Sequence, residues 1–228
     1  MIDCTVWWAA PLPATADRLA LLAPEEVDRY QAYRKDEDKL RFLTGRVLAK
    51  TVSGERLGRS PGSIELDATC EDCGKPHGPP RVPGAEFRFS ISHSGDWIGL
   101  AIADAPLGLD VETATRRADD SLIEYALNDD ERAALNGLTP DQRAEAFFTY
   151  WTRKEALMKA TGRGLKIPLQ ALTLSPFGEP ARLVHSGDAA LTPEGTRMAD
   201  LNPGTGYRAA VAILTTDEIK VTESVWPA

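Results

Sequence analysis

Asp110 and Glu112 in LGLDVE, and Glu155 set into the apolar stripe of WTRKEALMKATGRGL, are the residues of this 228-residue sequence best suited by type and spacing to do chemistry. In an extended segment successive side chains alternate between faces, so Asp110 and Glu112 share one face while Leu109 and Val111 take the other. In a helix, Phe148, Trp151, Glu155 and Met158 fall at i, i+3, i+7 and i+10, which puts Glu155 where the pattern asks for an apolar side chain. Lys159, one turn on, shares that edge, and Lys154 flanks it. A carboxylate that leaves water and stays ionised needs a cation or strong donors. Three of them make a set of hard oxygen ligands for magnesium, an ion that keeps waters and is shared with substrate phosphates, so a phosphate-bearing substrate is expected. Two plainer alternatives stand beside this reading: a solvated strand face for Asp110 and Glu112, and an i, i+4 ion pair between Glu155 and Lys159 worth a few tenths of a kcal/mol.

Positive groups that could receive phosphate are scattered: Arg29, Arg41, Lys75, His93, Lys154 and Lys159. Gly74–Pro76, GKP, forms a turn whose backbone amides and lysine could approach a phosphate. His93, in SISHSG, lies at a strand end among serines, where a structural histidine is the alternative. Cys70, Cys73 and His77 resemble a zinc loop but supply three ligands where structural zinc takes four, so a plain reduced loop is the expectation.

The elements that must position these groups can be read from periodicity. Apolar residues recur at helical spacing from Pro24 to Ser53, predicting one or two helices, the second closing at Gly54. The segment from Ser60 to Ala85 is dense in glycine and proline and reads as loop after a short strand near Ile64. EFRFSISHSGDWIGLAIAD predicts a strand pair, APLGLDVET a further strand, and Asp119 to Thr161 is helical in pattern. The order of elements recurs, which predicts an α+β fold of two similar halves, 1–104 and 105–228, related by a pseudo-twofold with the site in the cleft between them.

Composition narrows the function. The net charge is -8, with 13 basic and 16 acidic residues before Ala105 and 13 and 18 after it, so neither half is a basic nucleic-acid domain and anionic lipid is also disfavoured. Three cysteines are too few for a disulfide framework, no segment approaches the roughly 20 apolar residues of a membrane span, and the first residues lack the pattern of a signal peptide. A cytoplasmic protein is expected.

Taken together, FSISHSGDW, LGLDVE and WTRKEALMKATGRGL, in this order, resemble the Sfp-type 4′-phosphopantetheinyl transferases, and the likeness extends over PEEVDRY, DKLRFLTGRVL and CGKPHG, a loop similar to that of actinobacterial members. The resemblance implies a monomer that moves 4′-phosphopantetheine from coenzyme A to a serine of an apo carrier protein of fatty acid, polyketide or nonribosomal peptide synthesis, releasing 3′,5′-ADP. It implies Asp110, Glu112 and Glu155 as magnesium ligands bridging to the pyrophosphate, Glu131 in LNDDERAAL as the base, and Lys159 as the residue that holds the phosphates and protonates the departing ADP. It places Lys154 against the pyrophosphate, His93 with Ser92, Arg29 and Arg41 at the 3′-phosphate, and Gly74 and Lys75 along the adenosine. For Glu131 the alternative is a helix N-terminal acid favoured by the macrodipole. A second basic residue frequent in the family just ahead of Arg29 is replaced here by Glu26 or Val27. The carrier is expected to dock near Arg163 to Leu169, with Lys166 and Ile167 in contact.

Two rival functions remain at this stage. A metal-dependent nuclease also uses clustered acids and a lysine, but the sequence has no basic run for a phosphate backbone. A non-catalytic binding module would leave Glu155 and Lys159 as a mere ion pair.

Overall fold

The alternation in the FRFSISHS segment folds as a hairpin, and the rest of the architecture stacks around it. The structure, a computed structural model, describes residues 1–70, 72–76, 78–115 and 118–227, without the side chain of Leu165. The elements run β1 (Ile2–Ala9), α1 (Ala16–Leu19), α2 (Pro24–Ala32), α3 (Asp36–Leu57), β2 (Arg88–Ser94), β3 (Trp97–Ala103), β4 (Leu107–Thr113), α4 (Asp120–Ala126), α5 (Asp129–Ala133), α6 (Pro140–Thr161), β5 (Leu172–Leu174), β6 (Leu183–Ser186), β7 (Thr196–Leu201), β8 (Tyr207–Leu214) and β9 (Ile219–Val225). The fold is α+β, with one sheet ordered β2-β3-β1-β9, a second ordered β4-β8-β7, and a small β5-β6 pair.

Alternation along the strands sorts the core into layers. Leu100 and Ile102 of β3 pack with Phe89 of β2 against Leu48, Ala49 and Val52 of α3. The opposite face, with Val6, Trp8 and Ala101, meets Leu109, Val111 and Val211 of the second sheet. Ala210 and Ala212, on the far side of β8, pack on Ala156, Leu157 and Ala160 of α6. The order is therefore α3, first sheet, second sheet, α6. Each sheet carries one 22-residue helix on its outer face.

Several expectations change. Helix α3 runs through Gly54, where a Cβ would meet the Arg59 carbonyl oxygen at 2.7 Å, so this glycine serves close packing rather than termination. The stop is Gly58, at φ 64°, a conformation that costs glycine little. Ile64 lies in no strand; it follows a 3-10 turn at Pro61–Ser63 and is buried as a core plug. The pattern from Asp119 to Thr161 divides into three helices, α4 to α6, because Asp119, Asn128 and Thr139 each accept a hydrogen bond from a backbone amide of the turn that follows and start a new one. Chain order and sheet membership also part company. Strand β9, from the end of the chain, pairs in parallel with β1 in the first sheet, Ile2 opposite Ile219 and Trp8 opposite Val225, so a cut at residue 104 does not separate the two sheets cleanly.

Helix α6 lies directly on β4 at Gly108, where a Cβ would fall 2.0 Å from the Ala156 carbonyl oxygen and 2.4 Å from the Ala160 nitrogen. Those are backbone atoms that cannot rotate away. Gly108→Ala should destabilise the chain by about 1–3 kcal/mol through overpacking, toward the upper end, measured as a lowered midpoint in urea.

Candidate active site

Strand β4 lies at the edge of its sheet, so the amides on its free side need partners from elsewhere. The serines of β2 supply them. Ser90 Oγ accepts from Leu109 N at 3.0 Å, Ser92 Oγ from Val111 N at 3.3 Å and Ser94 Oγ from Thr113 N at 3.1 Å. Two of these hydroxyls also donate to the carboxylates between the rungs: Ser92 to Asp110 Oδ1 at 2.9 Å and Ser94 to Glu112 Oε2 at 3.0 Å. The Gly95 turn after β2 is clamped on both sides, its carbonyl accepting from Arg41 Nε at 2.8 Å and the Asp96 amide donating to the Tyr207 hydroxyl of β8 at 3.0 Å.

Asp110 and Glu112 lie on the same side of β4 as Gly108, which touches α6. Lys159 Nζ donates to Asp110 Oδ1 at 2.7 Å, to Ser92 Oγ at 3.0 Å and to Leu109 O at 3.0 Å, all three of its N–H groups placed on the seam. Asp110 is buried, and its other oxygen, Oδ2, has no hydrogen-bond partner among the described residues. Glu155 is half-buried; burial, then the charges of Asp110 and Glu112, push its carboxyl above the usual glutamate range against the pull of Lys159. Among the described residues no three acidic, histidine or cysteine groups stand close enough together to hold a metal. The residues nevertheless fit one by chemistry: an orphaned buried oxygen beside a glutamate whose proton affinity its neighbouring carboxylates raise is a place for a hard cation, and magnesium takes few protein ligands because it keeps waters and substrate phosphates.

Two expected site residues lie elsewhere. Lys154 follows Arg153 and precedes Glu155, and steps of about 100° along a helix send the three in different directions. Lys154 is fully buried on the far side, donating to Glu131 Oε2 at 2.5 Å, Ala126 O at 2.8 Å and Leu169 O at 2.9 Å. Glu131 also accepts from Leu174 N at 3.1 Å and closes the cap of α5 through Asn128 N at 3.2 Å. Its side chain is 2% exposed and that of Lys154 is 0%, so both groups are enclosed by protein and face away from the seam that holds Asp110 and Lys159. In this structure the two form a buried pair away from the seam, in which burial pushes Glu131 up and Lys154 down while their mutual attraction opposes both shifts. Arg153, equally buried, ties α6 to β7 through a bidentate contact with Asp200 at 2.8 and 2.6 Å.

Cations collect along the first half. His93 stands beside Arg41; enclosure, then the charges of Arg41 and Lys159, hold the imidazole below its usual range, although much of the residue still faces solvent. A pocket of about 300 Å³ opens between α2, α3 and the following loop, lined by Arg29, Phe42, Arg46, Thr69 and Pro76. Arg29 and Arg46 both lie over the Phe42 ring, at 5.6 and 4.9 Å from its centre. Arg46 was not singled out in the sequence. The available signal was Glu26: an acid where the family has a base leaves that acid needing a cation, and Glu26 Oε1 lies 3.0 Å from Arg46 Nε while Oε2 lies 3.0 Å from Lys50 Nζ. Lys75 is exposed in the loop, and the Gly74 amide donates to Cys70 O at 2.9 Å, so it is not free for a phosphate. Cys70 and Cys73 are not joined in a disulfide, and His77 lies outside the described residues.

The expected docking patch also changes. Ile167 is fully buried, Lys166 pairs with Asp72, and Arg163 Nη1 lies 3.0 Å from Asp188 Oδ1. Among the described residues of this patch, Ile167 is withdrawn from the surface and the charges of Arg163 and Lys166 are paired.

Lys154→Met should cost about 3–5 kcal/mol because it strands a buried carboxylate, while Glu131→Leu with Lys154→Met should recover most of that stability in urea. Coenzyme A affinity of the folded double variant, measured by calorimetry, should match that of the unaltered chain.

Comparison with known proteins agrees with this geometry. The model of the 4′-phosphopantetheinyl transferase superfamily matches residues 106–212, and that of the N-terminal region of 4′-phosphopantetheinyl transferases matches residues 7–105. A 4′-phosphopantetheinyl transferase of Bacillus subtilis is 30% identical over 74% of this chain and 74% of its own. The 4′-phosphopantetheinyl transferase HetI of Nostoc is 31% identical over 90% of this chain and 86% of its own. The Sfp transferase of Bacillus subtilis is 28% identical over 68% and 67%. With both stretches matched in chain order and the serine, acid and lysine groups of the three motifs meeting at one seam, the chain belongs to the 4′-phosphopantetheinyl transferase superfamily.

Proposed function

We propose that this enzyme transfers 4′-phosphopantetheine from coenzyme A to a serine hydroxyl of an apo carrier protein and releases 3′,5′-ADP. The observation that carries the reading is the buried, unpartnered Oδ2 of Asp110 at the β4–α6 junction, beside Glu155 and Lys159. Asp110, Glu112 and Glu155 would hold magnesium there; bound, it would neutralise the pyrophosphate charge, the largest obstacle in phosphoryl transfer.

The chain's own residues supply the rest. The serine oxygen forms a bond to the phosphorus that carries the pantetheine arm as the bond from that phosphorus to the ADP oxygen breaks. The serine's proton passes to Glu155, the carboxylate on the face of α6 turned toward Asp110 and Glu112. Lys159, about one third exposed, presents positive charge at the cleft edge toward the departing phosphate. Arg41 extends that charge along the first half with the His93 imidazole beside it as a hydrogen-bonding group, and the pocket of Arg29 and Phe42 receives the nucleotide end, with Arg46 in place of the base missing near Arg29. Ser92 contributes through the seam, since its hydroxyl accepts from Val111 and Lys159 and donates to Asp110. Lys75 precedes Pro76, which lines this pocket, and would meet the adenosine.

Both walls come from one chain, so a monomer suffices. The partners are carrier proteins or domains of fatty acid, polyketide or nonribosomal peptide synthases, whose chemistry places the reaction in the cytoplasm. Among the described residues no helix is long and apolar enough to cross a membrane.

Incubation with an apo carrier protein, coenzyme A and magnesium should add one phosphopantetheine by intact mass; no adduct on any of several carriers, with the enzyme folded, would refute the proposal. Glu155→Gln should lower kcat at least about 100-fold, the scale of a general base, with unfolding unchanged within error. Arg46→Leu paired with Glu26→Leu should raise the KM for coenzyme A about tenfold, the effect of losing one charge-assisted contact, and leave kcat in place.

A further inference from the structure

The three serines of β2 do the same work for the backbone and different work for the side chains. Each accepts from one amide of the β4 edge, at Leu109, Val111 and Thr113. A hydroxyl has one proton to give. Ser92 and Ser94 place theirs on Asp110 and Glu112, whereas on the Ser90 rung the residue preceding the donor Leu109 is Gly108, which has no carboxylate.

For Ser94 the direction of the bond is forced. Its oxygen accepts from Thr113 N, and an ionised carboxylate can only accept, so the Ser94 proton lies toward Glu112 Oε2. The serine is itself fixed, because the Gly95 turn after it is held by Arg41 from α3 and by Tyr207 from β8. A Cβ at Gly95 would come within 2.4 Å of the Tyr207 hydroxyl, which shows how closely the turn is packed. Glu112 is half-buried near the end of β4, and without Ser94 its carboxylate loses this hydrogen bond.

We infer that Ser94 is a positioning residue that orients the Glu112 carboxylate toward the magnesium site. The inference rests on the reading of Glu112 as a magnesium ligand. Hydrogen bonds of this kind, from outside the ligand set, typically govern 10- to 100-fold of metal affinity. Ser90, which supports the same strand edge without a carboxylate, provides the internal control.

The experiment is magnesium titration by calorimetry, in the presence of coenzyme A, of Ser94→Ala, Ser90→Ala, Ser94→Thr and Glu112→Gln, with thermal unfolding of each. Ser94→Ala should weaken magnesium about tenfold or more, Ser90→Ala should leave it within about twofold, and Ser94→Thr should restore it. Unfolding midpoints of the two alanine variants should fall by similar amounts, since each loses one amide acceptor. Equal magnesium affinity in the two alanine variants would overturn the inference and leave Ser94 a seam residue only. If Glu112→Gln binds magnesium as the unaltered chain does, the ligand reading itself fails, which the control separates from failure of the positioning role. Should Ser94→Ala not fold, Ser94→Cys keeps the shape with a weaker donor and should show an intermediate loss; affinity equal to that of the unaltered chain would count against the inference.

Discussion

The free edge of β4 is the constraint around which the molecule is arranged. A strand with one unpaired edge, placed where two layers meet, must satisfy its amides without water. Here the partners are serine hydroxyls, and this choice has consequences that backbone pairing would not have. A neighbouring strand would have zipped the two sheets into one and shut the groove. Hydroxyls instead join the layers at 3.0 to 3.3 Å while leaving a polar seam, and two of them can also donate to the acids beside them. The same contacts thus hold the halves together and orient the groups proposed for catalysis.

Helix α6 shows how one segment serves structure and chemistry by angular position. Arg153 and Lys154 are wholly buried, yet every donor that the geometry records for them has a carbonyl or carboxylate partner. Buried charge without such partners costs several kcal/mol, so these two anchors fix the rotation of α6 firmly. Glu155 and Lys159, four residues apart, are left on the face toward β4. The proximity of Gly108 to the helix backbone then sets how near the carboxylates of strand and helix come. Lys159 balances Asp110 through Oδ1, while Oδ2 has no hydrogen-bond partner among the described residues.

Much of this was legible before folding, and the misses have physical causes. The period of two in FSISHS and LGLDVE locates both strands, and the place of Glu155 in an apolar stripe marks the functional edge of the helix. Gly54 looks like a stop in the sequence because local pattern does not reveal that Arg59 packs against it. Glu131 and Lys154 carry residue types suited to catalysis, and nothing local distinguishes a reactive acid from one buried in an ion pair. For Lys154 the helical period did carry a warning, since adjacent residues such as Lys154 and Glu155 cannot face the same groove. Arg46 was visible only by its compensation for Glu26, a relation between two helices rather than within one.

By itself the sequence determined the kinds of element, the faces their side chains share and the family to which the motifs belong, because these depend on short-range periodicity and on residue chemistry. Only the tertiary structure decided which charges are anchors and which are reactive, that β9 returns to the first sheet, and that serine hydroxyls close the β4 edge. Burial and hydrogen-bond partners are properties of distant segments brought together. The protonation and reactivity of an ionisable group follow from that environment, so the same glutamate is a cap at position 131 and a raised-affinity carboxylate at position 155.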